Sequence, residues 1–173
     1  MLLIRFPKNV KNKLAALNTI HEDNKVFVDI MKEAIAREYK KQLLRHIENQ
    51  DLNWRSLNPQ YKEWKIKNGL SEKIWKATSL LKDSIQVIKN DDGSWFVGIS
   101  GDIKYPDGTS VSLVAMVHEY GSPSRGIPAR PLFRPTRQKM LRNIGKFVAT
   151  ENSKYMKFLV RKINNRSRHE KSA

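Results

Sequence analysis

The chain has no cysteine among its 173 residues, which excludes disulfides and thiolate metal sites and fits a reducing compartment. No apolar run approaches the ~18 residues that a transmembrane helix needs, so neither a span nor a membrane partner is expected. Met1 to Phe6 is apolar but too short for a signal peptide, and Pro7 and Lys8 end it. No phosphate loop and no G-x-S-x-G elbow occurs. The four histidines, His21, His46, His118 and His169, are scattered, and His118-Glu119 is not followed by a second histidine one turn on. The metalloprotease pattern therefore fails. Asp91, Asp92 and Asp102 read as turn acids rather than a cation site. The expectation is a non-enzymatic chain with no cofactor and no metal.

Acid is scarce in one region only. The net charge is +16, and only two acidic residues, Glu151 and Glu170, follow Glu119. A basic final third implies a polyanionic neighbour, whether nucleic acid, an acidic protein or anionic lipid, against the plainer reading of a solvated basic face. Length and ordinary apolar content point to one domain with a core and some extension.

Leu2 to Phe6 reads as a short strand or an apolar plug, and Asn9 to Leu17 as a weak helical run. Lys25 to Glu48 is the strongest helix, with Val26, Ile30, Met31, Ala34, Ile35, Tyr39, Leu43, Leu44 and Ile47 at three- and four-residue steps. Asn58-Pro59 and Asn68-Gly69 start and stop a second helix. Around it Trp54, Tyr61, Trp64 and Trp75 are interleaved with Lys62, Lys65 and Lys67, a pattern that suits stacking on single-stranded nucleic acid but reads first as core. Ser71 is expected to cap a helix carrying Ile74, Trp75 and Leu81. Ile85 and Val87, the turn Asn90 to Gly93, then Trp95, Val97 and Ile99 predict a β-hairpin. After a second turn, Tyr105 to Thr109, Ser110 or Ser112 caps a short helix with Leu113, Met116 or Val117, and Tyr120 on one face, and Gly121 suits its C-terminal stop.

Everything else turns on Val117 to Thr136, VHEYGSPSRGIPARPLFRPT. Ser122, Ile127, Arg130 and Arg134 each precede a proline and are pushed towards extended backbone, so the stretch predicts a fixed, extended, cationic arm. Glu119 is the acid embedded in it, read either as an ion-pair partner of Arg130 or Arg134 that clips the arm or as a surface carboxylate. The last helix starts at Pro131 or Pro135 and carries Phe133, Met140, Leu141, Ile144, Phe147 and Val148 on one stripe. The pattern resumes with Tyr155, Met156, Leu159, Val160 and Ile163, and residues 164–173 are expected to fray. Arg137, Lys139, Arg142, Lys146, Lys154, Lys157, Arg161 and Lys162 are candidates for a surface facing DNA or an acidic partner.

One ordered set of motifs carries a family resemblance: Trp54-x-x-Leu57-x-Pro59-x-Tyr61, Thr78-x-x-Leu81-x-x-Ser84-Ile85, Val97-Gly98, His118-Glu119-Tyr120-Gly121, and Ile127-Pro-Ala-Arg130-Pro131-Leu132-Phe133-Arg134-Pro135. It resembles the tail-completion, or head–tail joining, proteins of long-tailed bacteriophages, also described as minor tail or virion morphogenesis proteins. The similarity runs from about Val26 to Val148, and its specific parts are Glu-Tyr-Gly and Ile-Pro-Ala-Arg-Pro. Family members often carry Thr-Gly before the leucine of the middle motif, whereas Thr78 is followed by Ser79 and then Leu80. The basic tail after Thr150 extends past the usual end.

The resemblance implies an α+β fold, a small antiparallel sheet packed against a long N-terminal helix and a basic C-terminal helix. Residues 1–150 would form one tail-completion-like domain, and residues 151–173 a basic helical extension with a frayed end. It implies a virion structural protein at the head–tail junction, in the host cytoplasm during assembly. The expected partners are other copies in a ring, sixfold or a multiple, neighbouring neck and tail proteins, and packaged DNA passing through. Glu119, Tyr120, Gly121, Ile127, Pro128, Arg130 and Pro131 match the family's motif and would fix the arm's path, while Arg130 and Arg134 suit protein contacts. The alternative from another class is a non-enzymatic nucleic-acid-binding protein using the basic C-terminal helix.

Overall fold

A computed structural model describes residues 8–169, with side chains for residues 25–161. The expected strand or plug at Leu2 to Phe6 lies outside the described residues, as do the side chains of Asn9 to Leu17, of Lys162 and of His21 and His169. The fold is α+β. A two-stranded antiparallel sheet packs against a long N-terminal helix beside a long C-terminal one.

Helix α1 spans Lys8–Asn49, about 63 Å at 1.5 Å per residue, so the weak run at Asn9 and the strong one from Lys25 are a single element. Its C-terminal half buries Met31, Ala36, Leu43 and Ile47. Val26 and Ile30, read as part of the same stripe, are 53% and 40% exposed. The reason is the reach of the sheet. Lys89 Nζ meets Asp29 at 2.6 Å and Lys32 Nζ meets Gly93 O at 3.3 Å, and these bonds mark where the hairpin tip ends along α1.

Helix α2 is Pro59–Lys67, and Asn58 Oδ1 accepts from the N–H groups of Gln60 and Tyr61 as an N-cap should. No helix starts at Ser71; the only regular turn there is α3, Leu80–Asp83. The helical periodicity is overruled at Trp75, which holds φ at +63°. Left-handed backbone at a bulky residue costs about 1–2 kcal/mol. Burying a tryptophan to 1% exposure offsets this. Gln50 fixes the preceding residue from both sides, taking the Ile74 N–H at 2.9 Å and giving Nε2 to its carbonyl at 3.1 Å.

Strands β1, Ile85–Lys89, and β2, Trp95–Ile99, pair with Val87 opposite Val97, as the alternation predicts. Gly93, at φ +74°, closes the turn. Helix α4, Val111–Tyr120, follows Ser110 and stops at Gly121, where φ is +78°. Its expected face of Leu113, Met116 and Tyr120 does exist, but it points to solvent, with each residue more than half exposed. The core side is Val111, Ala115 and Glu119. Val111 and Ala115 join Leu43, Ile47, Ile74, Trp75, Leu81, Ile85 and Leu132 in one hydrophobic cluster.

The arm is not extended throughout. Pro123–Arg125 forms a single 3-10 turn, and Ser122 pairs with Ile127 across it. Gly126 supplies the left-handed residue, φ +65°, that lets so short a loop close. Helix α5 runs Phe133–His169, so neither Pro131 nor Pro135 is its first residue; Pro135 is the third. It continues unbroken past Thr150, and it is helical through most of the stretch expected to fray, as far as His169. Tyr39 bonds the start of α5 while Phe27 packs on Tyr155, ring centroids 5.1 Å apart, so α1 and α5 run antiparallel.

Candidate functional site

Residues 130–134 are the point on which the chain converges. Glu119, on the last turn of α4, is 4% exposed. Its carboxylate accepts three successive backbone N–H groups, from Leu132 at 2.7 Å, Phe133 at 2.9 Å and Arg134 at 3.0 Å. These are the donors that the first turn of α5 leaves without an intrahelical partner, and the next residue, Pro135, has no N–H to leave. A carboxylate there also meets the positive end of the helix dipole. Arg134 completes the contact with Nε 3.3 Å from Oε1, and its guanidinium lies 5.1 Å from the Tyr120 ring.

The carbonyls of the same stretch are taken from elsewhere in the sequence. Trp75 Nε1 donates to Arg130 O at 2.8 Å, Trp54 Nε1 to Pro131 O at 2.7 Å, Thr136 Oγ1 to Leu132 O at 2.6 Å, and Tyr39 Oη to Phe133 O at 2.8 Å. Buried indole and phenol groups need such acceptors, and here they read the arm's backbone. Burial and the charge of Glu119 push the Tyr39 hydroxyl up to about 12, so it stays a donor at any ordinary pH. Every peptide group from 130 to 134 that is needed to hold the path is thus bonded.

Arg130 runs inward. It is 7% exposed, and it donates Nε to Arg55 O at 2.8 Å and Nη2 to Ser56 O at 2.9 Å, while its own backbone N–H goes to His118 O. Among the described residues no carboxylate lies within ion-pair distance of it, and Glu119 pairs with Arg134 instead. The guanidinium therefore clips the arm to the loop before α2. Lys65 does the same one layer away. It is 2% exposed and gives Nζ to the carbonyls of Lys73 and Lys76. Burial, then the Arg130 charge, holds the Lys65 ammonium below its usual range. Burial also lowers His118, whose ring lies tilted against Trp75 with centroids 5.0 Å apart, and Arg130 and Lys65 add to the effect.

Gly121 and the Ile127-Pro128 step are a close approach. A Cβ on Gly121 would fall 2.8 Å from Ala129 N and 2.9 Å from Ile127 O. The remaining proline of the motif, Pro131, is half-buried, and its carbonyl serves Trp54. Tyr120 lies outside the lock, 62% exposed.

The aromatic cluster divides. Trp54 and Trp75 are core, whereas Tyr61 and Trp64 are stacked on each other at 5.7 Å and about half exposed. On α5, Arg137, Lys139, Arg142, Lys146, Lys154, Lys157 and Arg161 are all exposed. Among the described residues only Lys154 has a carboxylate beside it, Glu151 at 2.5 Å. His46 is fully buried, with Nδ1 2.5 Å from Asp51 Oδ1, and among the described residues Nε2 has no hydrogen-bond partner. Among the described residues no group of three or more metal-ligating side chains is close enough to share an ion.

Tyr39, Lys65 and Trp75 are the site residues that pattern reading passed over. Tyr39 and Trp75 were assigned to apolar stripes, and the available signal was the polar tip each carries into the core. Lys65 reads from the sequence only as a cation flanking the aromatic cluster, and nothing in that pattern marks it as buried.

No family model matches the chain, and no solved structure matches it. A protein of Methanocaldococcus jannaschii that is named only as uncharacterized is 27% identical over 135 residues, which cover 73% of this chain and 93% of that protein.

Proposed function

We propose that this chain is a virion structural protein of a phage neck, one subunit of a ring that joins the DNA-filled head to the tail. One observation carries the reading. The separate sequence pieces behind the family resemblance meet in one unit, Trp54 on Pro131, Arg130 on Arg55 and Ser56, and Glu119 on residues 132–134. A motif whose parts bond one another defines a fold, and a shared motif then argues for a shared fold and role. The half-exposed apolar side chains along both long helices, among them Val26 and Val28 on α1 and Met156 and Phe158 on α5, suit a subunit that is covered by neighbours.

The test is the copy number in purified particles, by quantitative mass spectrometry against a component of known stoichiometry, with labelled electron microscopy for position. A small fixed number at the head–tail junction, sixfold or a multiple, is expected. Absence from particles overturns the reading.

The exposed, mostly unpaired cations of α5 favour a second reading, a free nucleic-acid-binding protein. Such a protein would retard DNA in gels with log K falling nearly linearly with log salt, and removing residues 151–173 would flatten that slope. A slope unchanged by the truncation counts against it.

A further inference from the structure

Among the described residues the sheet has only two strands, so each has an open edge. Asn90 and Ser94 form a bonded pair at the turn. Alternation in an antiparallel ladder then makes Ile88–Phe96 and Gln86–Gly98 the bonded pairs of the register. The N–H and C=O groups of Trp95 and Val97 consequently point away from β1, along the outer edge of β2. An open edge of this kind is a template for another strand.

What lies beside that edge sets it apart from the edge of β1. A groove of about 530 Å³ runs between β2 and α5, with α1 as its floor. Trp95 and Val97 form one wall, Met140, Leu141 and Ile144 the other, and Ile35 and Tyr39 belong to the floor. Leu141 is 55% exposed there. The sheet therefore covers α1, and the groove separates its β2 edge from α5. The rim carries Lys32 and Arg137 against the single acid Asp92, which is already bonded to the Ser94 N–H. Among the described residues Arg137 has no carboxylate within ion-pair distance.

We infer that this groove binds an extended segment of a different polypeptide, alternating apolar residues with at least one carboxylate, added to β2 as a third strand. Backbone pairing to Trp95 and Val97 would supply affinity, alternate apolar side chains would cover Leu141 and Ile144, and the carboxylate would meet Arg137. The acidic partner is favoured over a second copy because the chain itself carries +16. The inference does not depend on a neck location.

The probe is a displayed library of short random peptides selected on the full chain, with labelled winners measured by fluorescence anisotropy and amide exchange. Winners are expected to alternate apolar residues with acids and to slow exchange at the Trp95 and Val97 N–H groups. Leu141→Lys and Arg137→Glu, both at exposed positions, should each weaken binding by about tenfold or more. No enrichment over a blank surface overturns the proposal, as does binding that leaves those two amides unprotected. A dimer in sedimentation that Leu141→Lys dissociates assigns the groove to a second copy and overturns it equally.

Discussion

Glu119 and Arg134 are joined three times: the backbone N–H and the Nε of Arg134 both reach Glu119 Oε1, at 3.0 and 3.3 Å, and Nη2 reaches the Glu119 carbonyl at 3.4 Å. The first bond is a helix cap and the second an ion pair. The cap is the stronger anchor, because Arg134 is 58% exposed on its side chain and Glu119 only 6%. Glu119 thus joins the end of α4 to the beginning of α5 across the arm.

Glu119→Ala leaves three N–H groups in the interior without an acceptor. The expected loss is about 3 kcal/mol in urea unfolding. Glu119→Gln keeps one acceptor oxygen and should lose less. Equal losses in the two variants would mean that the space and the single oxygen kept by Gln contribute nothing, and that the charged pair of oxygens holds the arm.

Gly121 sits at φ +78° and ψ 178°, a region open essentially to glycine alone. Gly121→Ala should cost about 2–4 kcal/mol, from backbone strain together with the clash against Ala129 N. Gly126→Ala is the control, since nothing lies within 4 Å of its added Cβ. It should cost about 1 kcal/mol, the left-handed penalty alone. Thermal unfolding of the pair separates close approach from conformation.

Arg130→Met removes both bonds to the 55–56 loop and should destabilise the chain by about 2 kcal/mol in urea unfolding. Arg130→Lys should recover only part, because one ammonium does not reproduce the planar pair of donors. A Met variant as stable as the parent would free Arg130 for a role at a partner surface.

Stability should fall with acid in two steps. The buried His118 has its folded value lowered, so the unfolded chain takes up that proton first, and stability declines as pH drops below about 6.5. Glu48, bonded to Lys73 and Lys76, is held at about 2. Its contribution is present above the ordinary value of 4.5 and is lost as pH falls from there towards 2. Glu48→Gln should flatten the acid step and leave the neutral one. Unfolding midpoints followed from pH 8 to about 2.5 would check both.

What the sequence determined by itself is what local chemistry decides. The length of α1 beyond Lys25, the Asn58 cap, the hairpin and the Gly121 stop follow from periodicity, side-chain acceptors and glycine backbone freedom, which act within a few residues. The prolines likewise marked residues 123–135 as a fixed path. Tertiary structure decided where that path goes. It turned Arg130 inward to Arg55 and Ser56, chose Arg134 over Arg130 for Glu119, forced Trp75 out of a helix, and left the Leu113–Met116–Tyr120 face outside. Each outcome depends on partners at least thirteen residues away or on which surfaces run out of cover. A period counted along the chain gives a face, but only the packed neighbours say whether that face is the inside.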